Sequence, residues 1–206
     1  KETYANKELL QFDLWNTTPS DTKRWIELKT KIKKYGLRNS LLIAIAPTAT
    51  IASIVGSYEC IEPQLSNLFK RETLSGEFLQ INPYLIGDLR KLDLWNDDTK
   101  YQIKQGDGSI QNIEEIPQFI RDRYKTAWEL KQKCIIDMAI DRGKFICQSQ
   151  SLNLFMESPS FSKLTSMHFY AWENGLKTGI YYLRSRPSSK AIQFTVSPEV
   201  CENCSA

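Results

Sequence analysis

The sequence is poor in several things that would have settled its class at once. It has one histidine, His168, lying between Met167 and the aromatic pair Phe169-Tyr170. A lone imidazole in that company reads as a packed or capping side chain. It does not complete a zinc site with Cys201-Glu202-Asn203-Cys204, for which the chain offers no second CxxC. No apolar run approaches the ~18 residues needed to cross a bilayer; the longest, Leu41 to Ala46, is strand-sized. Membrane insertion by a helix is therefore not expected. The five cysteines (Cys60, Cys134, Cys147, Cys201 and Cys204) are odd in number and lack a framework spacing. That argues against a secreted disulfide scaffold and for a reducing, cytoplasmic setting. Strong charge is missing too: a formal net charge of +3 and a pI near 8.5, evenly spread, give no footprint for nucleic acid. There is no repeat, low-complexity tract or linker before the last ten residues. The polar start, Lys1 to Asn6, lacks the apolar segment of a signal peptide, and the first residue is not Met, so a longer parent chain is expected.

What is present is enough for one sizeable domain or part of a larger one: 206 residues, 41% hydrophobic and 25% charged. Ser20 to Tyr35 reads as an amphipathic helix with Trp25, Leu28 and Ile32 on one face, Ser20 or Asp21 as cap and Gly36 as its end. Asn39 to Ala46, continuously apolar from Leu41 and closed by Pro47, reads as a strand buried on both faces, the signature of a parallel or mixed sheet flanked by helices. Thr50 to Gly56 follows as a short helix. Phe69 to Phe78 is loop with a short strand. Asn82 to Leu94 and Ile116 to Arg142 read as helices, with Asp107-Gly108 as a turn between them. Within the longer one, Tyr124, Ala127, Trp128, Lys131, Ile135, Met138 and Ala139 form a buried stripe, and Gly143 ends it. Gln150 to Phe155 is a second strand, Ser162 to Asn174 a helix closed by Gly175, Thr178 to Ser185 a third strand and Ile192 to Val196 a fourth. The alternation gives an α/β fold.

Three features carry chemistry. Ala46 to Ser53 runs from a buried strand through a hydroxyl-rich turn into a helix. The unpaired N–H groups and positive dipole end there can hold a phosphate, with Thr48 and Thr50 adding hydroxyls; the alternative is that Thr48 or Thr50 simply caps the helix. Tyr181-Tyr182 is either packing, favoured by β propensity, or two phenols in series that pass an oxidising equivalent. Neighbouring side chains on a regular strand point to opposite faces, so the second reading demands a bulge, a twist or a strand end at this point. Cys201 and Cys204, two residues from the end of the sequence, suit thiol–disulfide exchange, the alternative being two incidental cysteines in a frayed tail. Cys134 reads as core and Cys147 as a strand-edge residue. Cys60 lies in the loop Tyr58-Glu59-Cys60-Ile61-Glu62-Pro63, where Glu62 faces either backbone donors or a ligand.

Five segments in order resemble the large subunit of class I ribonucleotide reductase. They are Gln11-Phe12-Asp13-Leu14-Trp15-Asn16, the run from Tyr35-Gly36-Leu37 to Ala44, Leu74-Ser75-Gly76-Glu77-Phe78, Gln148-Ser149-Gln150-Ser151-Leu152-Asn153, and the stretch from Lys163-Leu164-Thr165 to Tyr181-Tyr182-Leu183-Arg184. The resemblance implies the C-terminal portion of a ten-stranded α/β barrel over residues 1–196, followed by a tail, 197–206. It implies reduction of ribonucleoside diphosphates to deoxyribonucleoside diphosphates by a radical mechanism. Substrate diphosphate would be held by Thr48, Ala49, Thr50, Ile51 and Ala52, with Ile51, where many relatives carry a hydroxyl residue, acting through its backbone N–H. Tyr181 and Tyr182 would relay the radical, and Cys201 and Cys204 would re-reduce the active site.

The resemblance also implies partners: a small subunit carrying a dimetal radical cofactor, a second large subunit, and thioredoxin or glutaredoxin; this chain itself would bind no metal or cofactor. The family's radical cysteine and its redox partners would lie upstream of Lys1, so the 206 residues alone should not turn over. The five residues that carry the chain from Val196 to Cys201 reach at most roughly 17 Å. Two other readings compete: a non-catalytic complementing half of a split large subunit, and an unrelated α/β binding module with a redox tail.

Overall fold

The computed structural model describes residues 9–73 and 76–186. Ile192 to Val196, Cys201 and Cys204 lie outside the described residues. Local cap chemistry sets the helix ends much as the sequence implies. α1 is Gln11–Leu14; α2, Thr22–Tyr35, starts where the Asp21 carboxylate accepts from the Arg24 N–H and stops at Gly36, whose φ of 76° suits only a residue without Cβ. α3 is Ala49–Val55. The hairpin β1 (Leu68–Thr73) and β2 (Gly76–Ile81) is antiparallel, Leu68 opposite Ile81. α4 (Pro83–Lys91) is capped by Asn82 with Pro83 in its first turn. α5 (Asp97–Gln105) is capped by Asn96 and was missed by the periodicity. α6 (Gln118–Arg123), α7 (Gln132–Gly143), β3 (Asn153–Phe155), α8 (Phe161–Glu173) and β4 (Tyr182–Arg184) complete the order.

β3, α8 and β4 form a parallel βαβ unit in the register Asn153–Tyr182, Leu154–Leu183, Phe155–Arg184. The other edge of the same strand continues the ladder: Ile45 bridges Gln150 in parallel, Ser151 N–H donates to Ile45 O at 2.8 Å, and Gln148 N–H donates to Ile43 O at 3.0 Å. Helices joined to parallel strands place the chain in the α/β class.

Two apolar clusters hold this together. One joins α7 (Ile135, Ile136, Ala139) to β3 (Leu154, Phe155) and α8 (Ala171), with Ala127, Leu152 and Leu176. The other is made by Leu85, Leu89, Ile103, Ile110, Ile113, Ile116 and Ile120, and belongs to the unit 67–124. Leu and Ile side chains buried this completely contribute about 1.5–3 kcal/mol each. Trp15 lies against the backbone of both helix-ending glycines of the first cluster: a Cβ added to Gly143 would come within 2.9 Å of its ring, and one on Gly175 within 3.3 Å.

Several expectations change, among them the 69–78 segment, expected as loop with a short strand and found in the β1–β2 hairpin, and the 178–185 strand, of which β4 keeps Tyr182–Arg184. The 39–46 run is not buried on both faces: Leu41, Leu42 and Ile43 are 55%, 63% and 52% exposed. Among the described residues it has a neighbour on one edge only, the 148–151 stretch, so its apolarity states a demand for cover that these residues do not meet. The single helix expected over Ile116 to Arg142 is two helices. Between them Ala127 N–H donates to Gln64 O at 2.8 Å and Thr126 N–H to the Glu129 carboxylate at 2.7 Å, partners that an unbroken helix would forbid. The stripe accordingly divides, Tyr124 packing on the second cluster and Ala127, Trp128, Ile135 and Ala139 joining the first, while Met138 is exposed. Cys134, read as core, is exposed too.

Candidate functional site

Pro47 ends the extended run, and Thr48 turns the chain into α3. Thr48 has φ 50° and ψ 23°, a left-handed conformation that is costly for a β-branched residue, and its side chain makes no capping bond. The simple-cap alternative therefore loses its hydrogen bond. Ala52 N–H donates to Thr48 O at 2.8 Å, so α3 begins directly after the strained residue, and by helix geometry the N–H groups of Ala49, Thr50 and Ile51 precede the first intrahelical bond. Thr48, Ala49, Thr50 and Ile51 are exposed, whereas Ala52 is buried and seats the turn. The expected phosphate-turn residues thus split into an open rim and one anchor.

Tyr181 and Tyr182 meet the geometric condition that a shared path imposes. Tyr181 stands just outside β4, its N–H donating to Leu152 O at 2.7 Å, and Tyr182 is the strand's first residue. At this strand entry the two rings meet edge to face with centroids 4.3 Å apart, both half exposed. A hydrogen bond with the Tyr182 phenol, with its charge as a second cause, holds the Tyr181 phenol above its ordinary pKa. The Arg184 guanidinium lies 5.1 Å from the Tyr182 ring centroid. Upstream of the pair, a Cβ on Gly179 would fall 2.6 Å from His168 Nδ1, so the histidine packs on this backbone rather than serving a ligand set.

The turn and the tyrosines are joined by residues whose partners the sequence did not reveal. Cys60, itself left-handed at φ 62°, donates its N–H to Pro47 O at 2.9 Å. Its Sγ accepts from Asn153 Nδ2 at 3.4 Å, and Asn153 is the register partner of Tyr182. Burial, then the nearby Glu62 and Glu59 carboxylates, push the Cys60 thiol up to about 11, so it stays protonated. Glu62 accepts from Asn153 N–H at 2.8 Å, which resolves its two readings in favour of a backbone donor. At the opposite end of the same strand Cys147 Sγ lies 3.0 Å from the N–H groups of both Leu42 and Ile43. Burial raises its pKa, but those bonds and the Lys177 ammonium outweigh it and hold the thiol below its ordinary value. Among the described residues, no group of three or more His, Cys, Asp or Glu side chains is placed to hold a metal ion, and no helix is long and apolar enough to cross a membrane.

Residues 1–182 match the family model described as ribonucleotide reductase, barrel domain. The chain belongs to the ribonucleotide reductase barrel-domain family. It is 56% identical over 194 residues to the ribonucleoside-diphosphate reductase large chain of Schizosaccharomyces pombe, covering 94% of this chain and 24% of that one. It is 54% identical over 203 residues to the ribonucleoside-diphosphate reductase large subunit of Dictyostelium discoideum, covering 98% and 23%. The chain thus spans about a quarter of the length of these ribonucleotide reductase relatives. Among solved structures, the alpha subunit of the Actinobacillus ureae class Id ribonucleotide reductase superposes with a TM-score of 0.65 at 27% identity, over 89% of this chain and 36% of that one. The α/β assignment and its place in the ribonucleotide reductase barrel stand, and an unrelated binding module is excluded.

Proposed function

We propose that this chain forms part of a ribonucleoside-diphosphate reductase large subunit and supplies it with a substrate-diphosphate turn and a tyrosine radical relay. The observation that carries the reading is the contact of Tyr181 and Tyr182 at the entry to β4. Two phenols at that separation can hand on an electron, each proton moving to a neighbouring oxygen. A dimetal radical cofactor in a partner small subunit supplies the one-electron oxidant. The half-exposed rings give access from that side. At the turn, the N–H groups of Ala49, Thr50 and Ile51 and the Thr48 and Thr50 hydroxyls would take the diphosphate, Ile51 through its backbone because its side chain is apolar, while the buried Ala52, its N–H bonded to Thr48 O, seats the turn. Residues 1–196 belong in this reading to the barrel, and 197–206 form a tail whose Cys201 and Cys204 return reducing equivalents from thioredoxin or glutaredoxin. A second large subunit and a cytoplasmic setting complete the assignment. The cysteine that abstracts hydrogen from ribose comes from outside the 206 residues, so the chain alone is inactive.

The test reconstitutes a large subunit by joining this chain to the remainder of a relative's, with a small subunit added, and measures cytidine diphosphate reduction. Tyr181→Phe and Tyr182→Phe should each lower turnover at least about a hundredfold, with melting temperature unchanged because each removes one exposed hydroxyl. Retention of half the activity by either variant would refute the relay. A second reading is a complementing half of a split large subunit. Adding the two parts as separate polypeptides distinguishes it: activity without fusion supports the split enzyme, and no association refutes it.

A further inference from the structure

Loop 57–66 leaves α3 and crosses to β1, and on the way it repairs a break in the sheet. A parallel ladder between 43–45 and 148–153 would continue by giving Asn153 N–H the carbonyl two residues beyond Ile45, which belongs to Pro47. Pro47 has turned away toward α3, and its carbonyl accepts from Cys60 N–H at 2.9 Å. The orphaned Asn153 N–H goes instead to Glu62, at 2.8 Å from Oε1. The other carboxylate oxygen lies 3.5 Å from Asn153 Nδ2. Asn153 is 4% exposed, and its Oδ1 has no hydrogen-bond partner, so its side chain is held from the Glu62–Cys60 side alone. The Glu62 charge also reaches the Arg142 guanidinium, which donates to Gln150 on the same strand.

We propose that Glu62 is a positioning residue that splices the strand edge where the phosphate turn departs, and so holds that turn and the tyrosine pair in one frame. One side of the splice is Cys60 on Pro47, directly before Thr48. The other is Asn153, the partner of Tyr182 in β4. The inference rests on the substrate and relay roles proposed for those two features. Loss of Glu62 leaves a buried N–H unpaired and frees the turn to move relative to β3 and β4, which damages substrate affinity and radical-dependent turnover together.

The experiment uses the reconstituted large subunit with its small subunit and compares Glu62→Ala, Glu62→Gln and Glu62→Asp. Glutamine keeps an oxygen for Asn153 N–H, and its amide can donate to the unpartnered Asn153 Oδ1 if that side chain flips. Glu62→Ala should raise KM for the diphosphate about tenfold, a ratio equivalent to ~1.4 kcal/mol, and lower kcat at least as much; Glu62→Gln should bring both back to within about threefold of wild type. Should the alanine variant fail to fold, Glu62→Asp serves: it keeps the charge but is one methylene too short to bridge, and the same paired loss is expected. A folded Ala or Asp variant with both constants within twofold of wild type overturns the proposal. So does a change in KM alone, which would leave the tyrosines outside the frame. If the wild-type assembly reduces no ribonucleoside diphosphate, the functional reading itself fails and this inference falls with it.

Discussion

Asn67 sits where the hairpin, the 106–109 turn and the end of α6 meet, and it is 2% exposed. Its Nδ2 donates to Gly108 O at 3.0 Å and to Tyr124 O at 2.9 Å, and its Oδ1 accepts from Asn82 Nδ2 at 3.0 Å. Asn67→Ala removes all of these and adds no substitute. A net value of about 1 kcal/mol per bond gives roughly 3 kcal/mol, and the Asn82 amide and Tyr124 carbonyl left short of partners bring the total to about 3–4 kcal/mol. For a chain of this size that lowers the melting temperature by about 6–16 °C. In a urea titration followed by far-UV circular dichroism the midpoint should fall with an unchanged slope, since the surface exposed on unfolding is the same. A loss under about 1 kcal/mol would show that water replaces these bonds without penalty, and would refute the claim that Asn67 closes the unit.

Further outcomes follow from the titrating groups. Alkylation at pH 8, read by mass spectrometry, should label Cys147 well before Cys60, because the first thiol is held below its ordinary pKa and the second is pushed up to about 11; Glu62→Gln should speed the labelling of Cys60. Asp88 accepts from Lys91, Tyr124 and Arg123, which together hold its carboxyl down to about 2. Its contribution is complete above about pH 4 and lost as pH falls toward 2, so the melting temperature should drop through that window in wild type and stay flatter in Asp88→Asn. Burial first, then Asp88, push the Tyr124 phenol up to about 12, so its share is lost in the opposite direction, as pH climbs from about 10 to 12.

Local chemistry was readable in the sequence where a few neighbouring residues decide the outcome. Gly36 and Gly175 mark helix ends because the backbone there takes a positive φ. The turn after Pro47 followed from a similar short-range argument, whereas the strand end at Tyr181 was only the condition that one reading of the tyrosine pair imposed. What was missed depends on partners far along the chain. Nothing near Ala127 shows that its N–H will be taken by Gln64, so the helix was carried through a break. Glu62 could be singled out as a carboxylate with a purpose, but its partner lies 91 residues away. The 39–46 run declared its need for burial without saying who would supply it. α5 is a different kind of miss: Asn96 followed by Asp97 and Asp98 is a short-range helix-start signal that was present and not used.

The closure at Asn67 has a consequence for how this protein can be altered. The amide that starts the unit 67–124 bonds the carbonyl that ends it, and the same side chain bonds Gly108 and Asn82 inside it, so the two attachment points lie side by side. The unit is a cassette to that extent: an insertion or label between its ends that leaves Asn82 and Gly108 in place should not change the spacing of the flanking segments that lead to Thr48 and Tyr182.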